Sequence, residues 1–244
     1  MSKKNNLFFV GKWTLPNGKT VTYEEAEEIL TKTLSGSGEK NKEALWSLAQ
    51  IYRETGRDHD AFECVQKLLK LSRGAEEKAS CVLAFGQLME QKGDYVSAEK
   101  YYRNALTLNP TNIDTRYFIN NNLGYSLIEQ GRFIEAIECL KIAQVINPSL
   151  ANAYKNMGLA FHGLGKHSKA AEYFIIATKT CPSDARAIQH LRDLVRVHRE
   201  IEKDIPDIYE QIEFCKKLVM VMWGCGPDAA DPRKKRRQER KKLH

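Results

Sequence analysis

Three stretches decide the fold: FGQLMEQKGDYVSAEKYYRNALTLNP at residues 85–110, LGYSLIEQGRFIEAIECLKIAQVINP at 123–148 and MGLAFHGLGKHSKAAEYFIIATKTCP at 157–182. In each stretch a glycine is followed five residues later by an alanine, and a small residue stands seven residues before the glycine. LAQIYRETGRDHDAFECVQKLLKL at 48–71 carries the same marks. The turn glycines, Gly56, Gly93, Gly131 and Gly165, are 37, 38 and 34 residues apart, so the chain contains four copies of one unit.

The apolar residues of each unit are spaced for two helices. Large apolar side chains stand eight and four residues before each glycine, and four residues after each alanine. Such spacings place side chains on one face of an α-helix. Glycine ends the first helix because it accepts a positive φ, and proline ends the second because it lacks an N–H to donate. Each unit is therefore predicted to be a helical hairpin that buries its apolar face by stacking on its neighbours.

These copies resemble the tetratricopeptide repeat family, whose units are helical hairpins of about 34 residues. The resemblance covers about residues 42–184, divided into 42–75, 79–112, 117–150 and 151–184. It implies an all-α, right-handed superhelical solenoid of four hairpins. It also implies a non-enzymatic scaffold or adaptor that binds an extended or helical peptide segment of another protein in its concave groove. Extra residues near 73–77 and 112–116 are expected to lengthen two connections or helices.

Residues 1–38 are predicted to form a short β-hairpin, a capping helix and a linker. Aromatic and β-branched residues flank the turn signal at 16–18. Thr22 and Glu25 match a capping box, which starts a helix that reaches about Leu34. We expect this segment to cap the first repeat; a role in docking a partner stays open.

Residues 185–226 are predicted to be capping helices that Pro206 interrupts. The last helix carries an apolar seam at steps of four and three residues: Ile208, Ile212, Cys215, Val219 and Met222. This seam either packs back on the repeats or joins two copies of the chain in a homodimer. Residues 227–244 are expected to be a disordered basic tail.

The excess positive charge lies in that tail. The net charge is +7 over 244 residues, and residues 233–244 alone hold eight Lys or Arg and one Glu. The cations are Arg233, Lys234, Lys235, Arg236, Arg237, Arg240, Lys241 and Lys242. Such a run is either simply solvated, or serves nuclear import or polyanion contact, or meets an acidic protein. The rest of the chain is near neutral.

The sequence contains no constellation typical of catalysis. Phosphate-loop, dinucleotide-binding, zinc-protease and nucleophile-elbow motifs are missing, so no enzyme activity, cofactor or metal is expected. His162 and His167 lie across a turn and are expected to be solvated. The six cysteines lack metal-ligand spacing and are interpreted as reduced thiols. Because no long apolar run or leader is visible, we expect a cytoplasmic protein with no membrane contact, or a nuclear one in a eukaryote.

The family resemblance places the first helix of each unit along the groove. The residues expected to line it are Trp46, Ser47, Gln50, Arg53, Leu83, Gln87, Phe118, Asn121, Asn122, Tyr125, Asn152, Lys155, Asn156 and Leu159. Asn122 and Asn156 share one register and resemble the asparagine ladder of O-linked sugar transferases. Amides can pair with a peptide backbone of any sequence. The cations of the family's carboxylate clamp are missing, which favours a neutral, partly apolar ligand.

Two other functions stay open at this point. The tail could lead a nucleic-acid-associated or nuclear adaptor. Several short tetratricopeptide proteins are bacterial secretion chaperones, although the tail and the additional flanks argue against that class.

Deletion of residues 233–244 should abolish any salt-sensitive binding of the chain to a polyanion, because the positive excess is confined to that run. The measurement is the fluorescence anisotropy of a labelled DNA duplex titrated with full-length and shortened chain at low and high salt. Retention of the binding in the shortened chain would place the polyanion site in the repeats instead.

Overall fold

The structure is a computed structural model, and it describes residues 12–15, 18–34 and 39–222. The strands are β1 (Lys12–Thr14) and β2 (Thr20–Thr22). The helices are α1 (Tyr23–Thr33), α2 (Glu39–Glu54), α3 (Asp58–Leu71), α4 (Ala75–Gln91), α5 (Tyr95–Thr107), α6 (Ile113–Glu129), α7 (Phe133–Ile146), α8 (Ala151–Gly163), α9 (His167–Thr180), α10 (Arg186–Val197), α11 (Ile201–Asp204) and α12 (Ile208–Met222).

The chain divides into two compact units, Met1–Gln130 and Gly131–His244. The first, called unit 1, holds both strands and α1–α6. The second, called unit 2, holds α7–α12. The division falls at the turn of the third predicted repeat, between α6 and α7, and each unit is described by itself below.

The N-terminal elements of unit 1 are packed on its first hairpin. Antiparallel pairing of β1 and β2 sets Trp13 opposite Val21. Thr22 and Glu25 form the expected capping box, and α1 follows directly. Val21 and the α1 residue Leu30 are buried in one apolar core with Leu48 of α2. This packing is that of a cap on the first repeat.

In two hairpins, a glycine of the first helix lies directly against an aromatic ring of the second. A Cβ atom added at Gly86 of α4 would lie 2.3 Å from the ring of Tyr102 of α5. In unit 2, a Cβ at Gly158 of α8 would lie 2.5 Å from the ring of Phe174 of α9. Both rings are fully buried. In these two hairpins, the small residue of the sequence pattern therefore leaves the space that an aromatic ring of the second helix fills.

The turn glycines have the backbone geometry that the pattern predicts. Gly56, Gly93, Gly131 and Gly165 all have φ between 72° and 78°. In α4–α5 the N–H of Asp94 donates to the carbonyl oxygen of Met89 at 2.9 Å, and in α8–α9 that of Lys166 donates to Phe161 at 2.9 Å. These bonds satisfy carbonyl groups that the end of the first helix leaves open.

The extra residues of two repeats are built into helices rather than loops. α4 and α6 each have 17 residues, whereas α8 has 13. Glu76, in the first turn of α4, accepts the backbone N–H groups of Thr111 and Asn112 at 2.7 and 3.1 Å. Asn112 in turn caps α6 by accepting the N–H of Thr115. The added turn of α4 thus fixes where α6 begins.

The C-terminal helices of unit 2 pack on its last hairpin. α10 and α12 both contact α9, and they contact each other. Ile208, Ile212 and Cys215 of the seam are buried, Val219 is half-buried and Met222 is exposed. Three of the five seam residues are therefore packed within unit 2, and the homodimer alternative stays a prediction.

The predicted fold class is confirmed in the described residues. They form helical hairpins preceded by one small sheet and followed by additional helices. None of the described helices combines the length and the apolar character needed to cross a membrane. The linker at 35–38 and the basic tail lie outside the described residues.

Replacement of Gly158 by alanine should lower the free energy of unfolding by about 1–3 kcal/mol, because the new methyl group overlaps the Phe174 ring. At an open helical position the same change would stabilise the helix by up to about 1 kcal/mol. Chemical denaturation of the full chain measures the difference. In a double-mutant cycle, Phe174→Leu should remove most of the cost of Gly158→Ala; equal costs in both backgrounds would contradict the packing described.

Candidate functional site

The predicted groove residues fall into one set in each unit. The set in unit 1 is called the first-helix face, and it consists of Trp46, Ser47, Gln50 and Arg53 of α2, Leu83 and Gln87 of α4, and Phe118, Asn121, Asn122 and Tyr125 of α6. The set in unit 2 consists of Asn152, Lys155, Asn156 and Leu159 of α8. Within each helix these residues recur at steps of three and four, which keeps them on one side.

The first-helix face is mostly half-buried. Gln50 is exposed, while the aromatic residues Trp46, Phe118 and Tyr125 are half-buried, as are Ser47, Arg53, Gln87 and Asn122. Leu83 and Asn121 are only 8% and 5% exposed. These two side chains belong to the helix packing beneath the face and offer little surface to a ligand.

A hydrogen bond joins α2 to α4 across this face. Arg53 Nη1 donates to Gln87 Oε1 at 2.7 Å, and Gln91 Nε2 donates to the backbone oxygen of Arg53 at 3.0 Å. The sequence pattern places Arg53 and Gln87 on the face but not together, since the offset between successive hairpins is not encoded in local spacing. The guanidinium of Arg53 is thereby engaged within the protein.

Tyr125 packs against the second helix of the preceding repeat, α5. Its ring meets that of Tyr95 edge-on, with centroids 6.1 Å apart. Burial and the neighbouring Glu129 carboxylate raise the pKa of the Tyr125 phenol above its usual range. The hydroxyl therefore stays protonated at neutral pH and can act as a hydrogen-bond donor.

A cleft of about 370 Å³ opens beside Trp46. Its lining comes from α2, the end of α3 and the start of α4: Lys42, Glu43, Trp46, Leu68, Ser72, Glu76, Glu77 and Ser80. Lys42 and Glu77 form an ion pair of 2.8 Å along its wall. Lys42 and the backbone N–H of Arg73 lower the pKa of the Glu77 carboxyl. The cleft thus combines one large apolar ring with polar walls.

The cleft was not predicted, and the lengthened α4 explains it. Glu76 and Glu77 stand in the first turn of α4, which has 17 residues against 13 in α8. Glu43 and Ser80 occupy the position thirteen residues before their turn glycines, where Phe118 stands in α6. Part of the cleft lining therefore comes from the same repeat position as Phe118 of the first-helix face.

In unit 2 the α8 residues are less accessible. Asn152 is half-buried and accepts a hydrogen bond of 3.4 Å from Arg186 Nη2. Lys155 and Asn156 are 9% and 3% exposed. Leu159 is half-buried and lines a second cleft, of about 350 Å³, formed by α8, α9 and α10. Of the two asparagines in the predicted ladder, only Asn122 of unit 1 has a substantial part of its surface open.

The basic run at 233–242 lies outside the described residues, so its predicted contact with a polyanion stays a prediction. None of the five cysteines within the described residues lies in a disulfide. Burial raises the pKa of the Cys64 thiol to about 11, and burial likewise raises the pKa of the Cys81 and Cys215 thiols.

Helical hairpins repeated along the chain, with turn glycines in register, define a helical-repeat protein. Comparison with family models identifies the repeats: a tetratricopeptide repeat model matches residues 42–74 and 79–112, and a TPR repeat model matches 124–165. The chain therefore carries tetratricopeptide repeats, as its sequence pattern predicts.

Curated relatives match this chain over part of their length. The human Protein O-mannosyl-transferase TMTC1 is 25% identical over 187 residues, which make up 75% of this chain and 20% of that protein. BBSome complex member bbs-4 of Caenorhabditis elegans is 25% identical, over 61% of this chain and 30% of that protein. The Hsp70-Hsp90 organising protein of Plasmodium falciparum is 28% identical, over 52% and 48% respectively. The chain spans less than half of each of these relatives.

Solved structures share the fold. BtubC from P. vanneervenii superposes with a TM-score of 0.62 at 16% identity, over 86% of this chain and 92% of that one. MamA from Desulfovibrio magneticus RS-1 gives a TM-score of 0.55 at 18% identity, over 74% and 98%. At these identities the likeness establishes the architecture alone.

Buried thiols should resist alkylation in the folded chain. We expect iodoacetamide at pH 8 to modify Cys139 and Cys181, which are half-buried, well before Cys64, Cys81 and Cys215, because burial keeps the latter three protonated and out of reach. Mass spectrometry of timed digests measures the order. Denatured chain, in which all thiols react at similar rates, is the control, and an equal rate at Cys64 in the folded chain would contradict the assignment.

Proposed function

We propose that this chain is a non-enzymatic protein-interaction scaffold that binds an extended or helical peptide segment of a partner along the first-helix face. The observation that carries the proposal is the half-buried aromatic and amide surface of α2, α4 and α6, together with the cleft beside Trp46. The ligand class follows from the chemistry of these side chains.

The aromatic residues supply the anchors. Trp46, Phe118 and Tyr125 keep part of each ring open while the remainder is held by the protein. Rigid aromatic side chains that are already packed on one side lose little entropy on binding and commonly dominate the affinity of an interface. The cleft beside Trp46 has the volume needed to receive one or two side chains of a ligand.

The amides supply contacts with the ligand backbone. Gln50 is exposed and Asn122 is half-buried, and each amide can both donate and accept. Such groups pair with peptide N–H and C=O groups without regard to side chains, which suits an extended segment. Asn156 of unit 2 is buried and takes no part in the proposed contact.

Charge favours a neutral segment. Among the ten predicted residues of the first-helix face, Arg53 is the charged one, and its guanidinium donates to Gln87. The nearby Lys42 is paired with Glu77. A ligand that offers mainly a terminal carboxylate therefore finds no preformed cationic clamp on this face.

The comparisons agree with a scaffold at a coarse level. Tetratricopeptide repeats generally act as non-catalytic interaction modules, and the relatives include an organising protein and a BBSome complex member. The relative named a transferase is matched over only 20% of its length. We also propose that the chain is located in a reducing compartment, such as the cytoplasm.

A photo-crosslinking experiment tests the face directly. Benzoylphenylalanine is placed at Gln50 of α2 and, as a matched control, at Gln66, which is exposed on α3. We expect irradiation in a lysate of the source cells to link a partner protein at position 50 and not at 66. The crosslinked partner segment is then synthesised as a peptide.

Affinity for that peptide should depend on the aromatic anchors. Trp46→Ala and Phe118→Ala should each weaken binding by about ten-fold or more in a fluorescence anisotropy titration, whereas Gln66→Ala should leave it unchanged. Circular dichroism confirms that each variant is folded. Equal crosslinking at both positions, or unchanged affinity in both aromatic variants, would count against this face.

A further inference from the structure

Three histidines converge in unit 2, on helices other than those of the first-helix face. They are His162 in the last turn of α8, His167 at the start of α9 and His198 directly after α10. One ring nitrogen of each lies within 4.8 Å of the other two. The Nδ1 atoms of His162 and His167 are 3.3 Å apart, and the rings of His167 and His198 stack with centroids 3.4 Å apart.

Backbone geometry holds this cluster together. The turn at Gly165, with φ of 72°, is closed by the Gly165 N–H donating to the His162 carbonyl oxygen at 2.9 Å. His162 and His167 thereby face each other across the turn. His198 caps the end of α10, with its N–H donating to Leu194 at 2.9 Å, and α10 packs against α9. The sequence reveals the first two residues as neighbours but not the third, which follows His167 by 31 residues.

The spacing fits a shared metal ion. In a tetrahedral site with metal–nitrogen bonds of about 2.0–2.1 Å, two ligand nitrogens are about 3.3 Å apart, which matches the distance between His162 and His167. One N–H···N hydrogen bond would satisfy that pair by itself. The third ring, His198, is stacked on His167, so one of these two rings must turn for both to direct an in-plane lone pair at one ion.

Neighbouring carboxylates complete the arrangement. His198 Nδ1 lies 3.1 Å from Glu200 Oε1, a bond that fixes the tautomer and leaves Nε2 as the ligand atom. A carboxylate behind a ligating histidine is the usual outer shell of such sites. Asp193 lines the 350 Å³ cleft together with His162 and His198, so the cleft can provide a fourth ligand as carboxylate or water. His162 is exposed, which gives an ion access.

We propose that His162, His167 and His198 bind a divalent transition-metal ion of the kind that prefers imidazole, such as Zn²⁺, with a fourth position open to the cleft. Imidazole ligands suit zinc, cobalt, nickel and copper and do not suit magnesium or calcium. The ion would join the α8–α9 turn to the end of α10. This site is independent of the proposed peptide-binding face, because its residues lie on other helices.

Titration of the metal-stripped full chain with Co²⁺ and Zn²⁺ tests the site. We expect one ion per chain, with the visible bands of tetrahedral Co²⁺ and without the near-ultraviolet charge-transfer band that thiolate ligands produce. Calorimetry then gives the affinity for Zn²⁺. Absence of the visible bands, or bands dominated by thiolate, would overturn the proposal.

Substitutions separate this cluster from other histidines. His167→Asn and His198→Asn should each weaken Zn²⁺ binding by at least about ten-fold, and Glu200→Gln should weaken it by about ten-fold through the outer shell. His190→Asn is the matched control, because His190 lines the same cleft but is not part of the cluster. Circular dichroism reports folding. Equal affinities in His167→Asn and His190→Asn would reject the assignment.

Discussion

The close contact between a glycine of one helix and an aromatic ring of the next, seen in the α4–α5 and α8–α9 hairpins, is the constraint on which the rest of the structure depends. Tyr102 and Phe174 each fill a space that exists only because Gly86 and Gly158 carry no side chain. A ring in that space buries a large apolar area and sets the distance between the helices at once. Because the first helices are positioned from behind in this way, their opposite sides are free to carry polar and aromatic residues.

The candidate binding face depends on two features. Each first helix has a packed side and an open side, and α4 is longer than the regular first helix. The regular part places Trp46 on α2 and both Phe118 and Tyr125 on α6, all three half-buried. The irregular part is the longer α4, whose first turn supplies Glu76 to hold α6 and Glu77 to pair with Lys42. Without those residues the cleft beside Trp46 would lack its far wall. The departure from the regular repeat therefore supplies one wall of the cleft.

Local features were predictable from the sequence, and features that join distant segments were not. The turn glycines, the capping box at Thr22 and the seam on α12 follow from spacing over a few residues. The depth of Leu83, Asn121 and Asn156 does not, because it depends on how far one hairpin slides against the next. The same holds for the bond between Arg53 and Gln87 and for His198, which reaches its cluster through the packing of α10 on α9.

The packing of α12 limits where a further hairpin could be added to the repeats. Ile208 and Ile212 are buried, and α12, which carries them, packs on α9 and α10. A hairpin inserted after α10 and packed in the place of α12 would displace that helix. Both isoleucine side chains would then be exposed to water, at a cost of about 1.5–3 kcal/mol for each. A hairpin duplicated between existing hairpins would leave the packing of α12 on α9 and α10 unchanged. Duplication of an inner hairpin would therefore expose less buried apolar surface than insertion of one directly before α12.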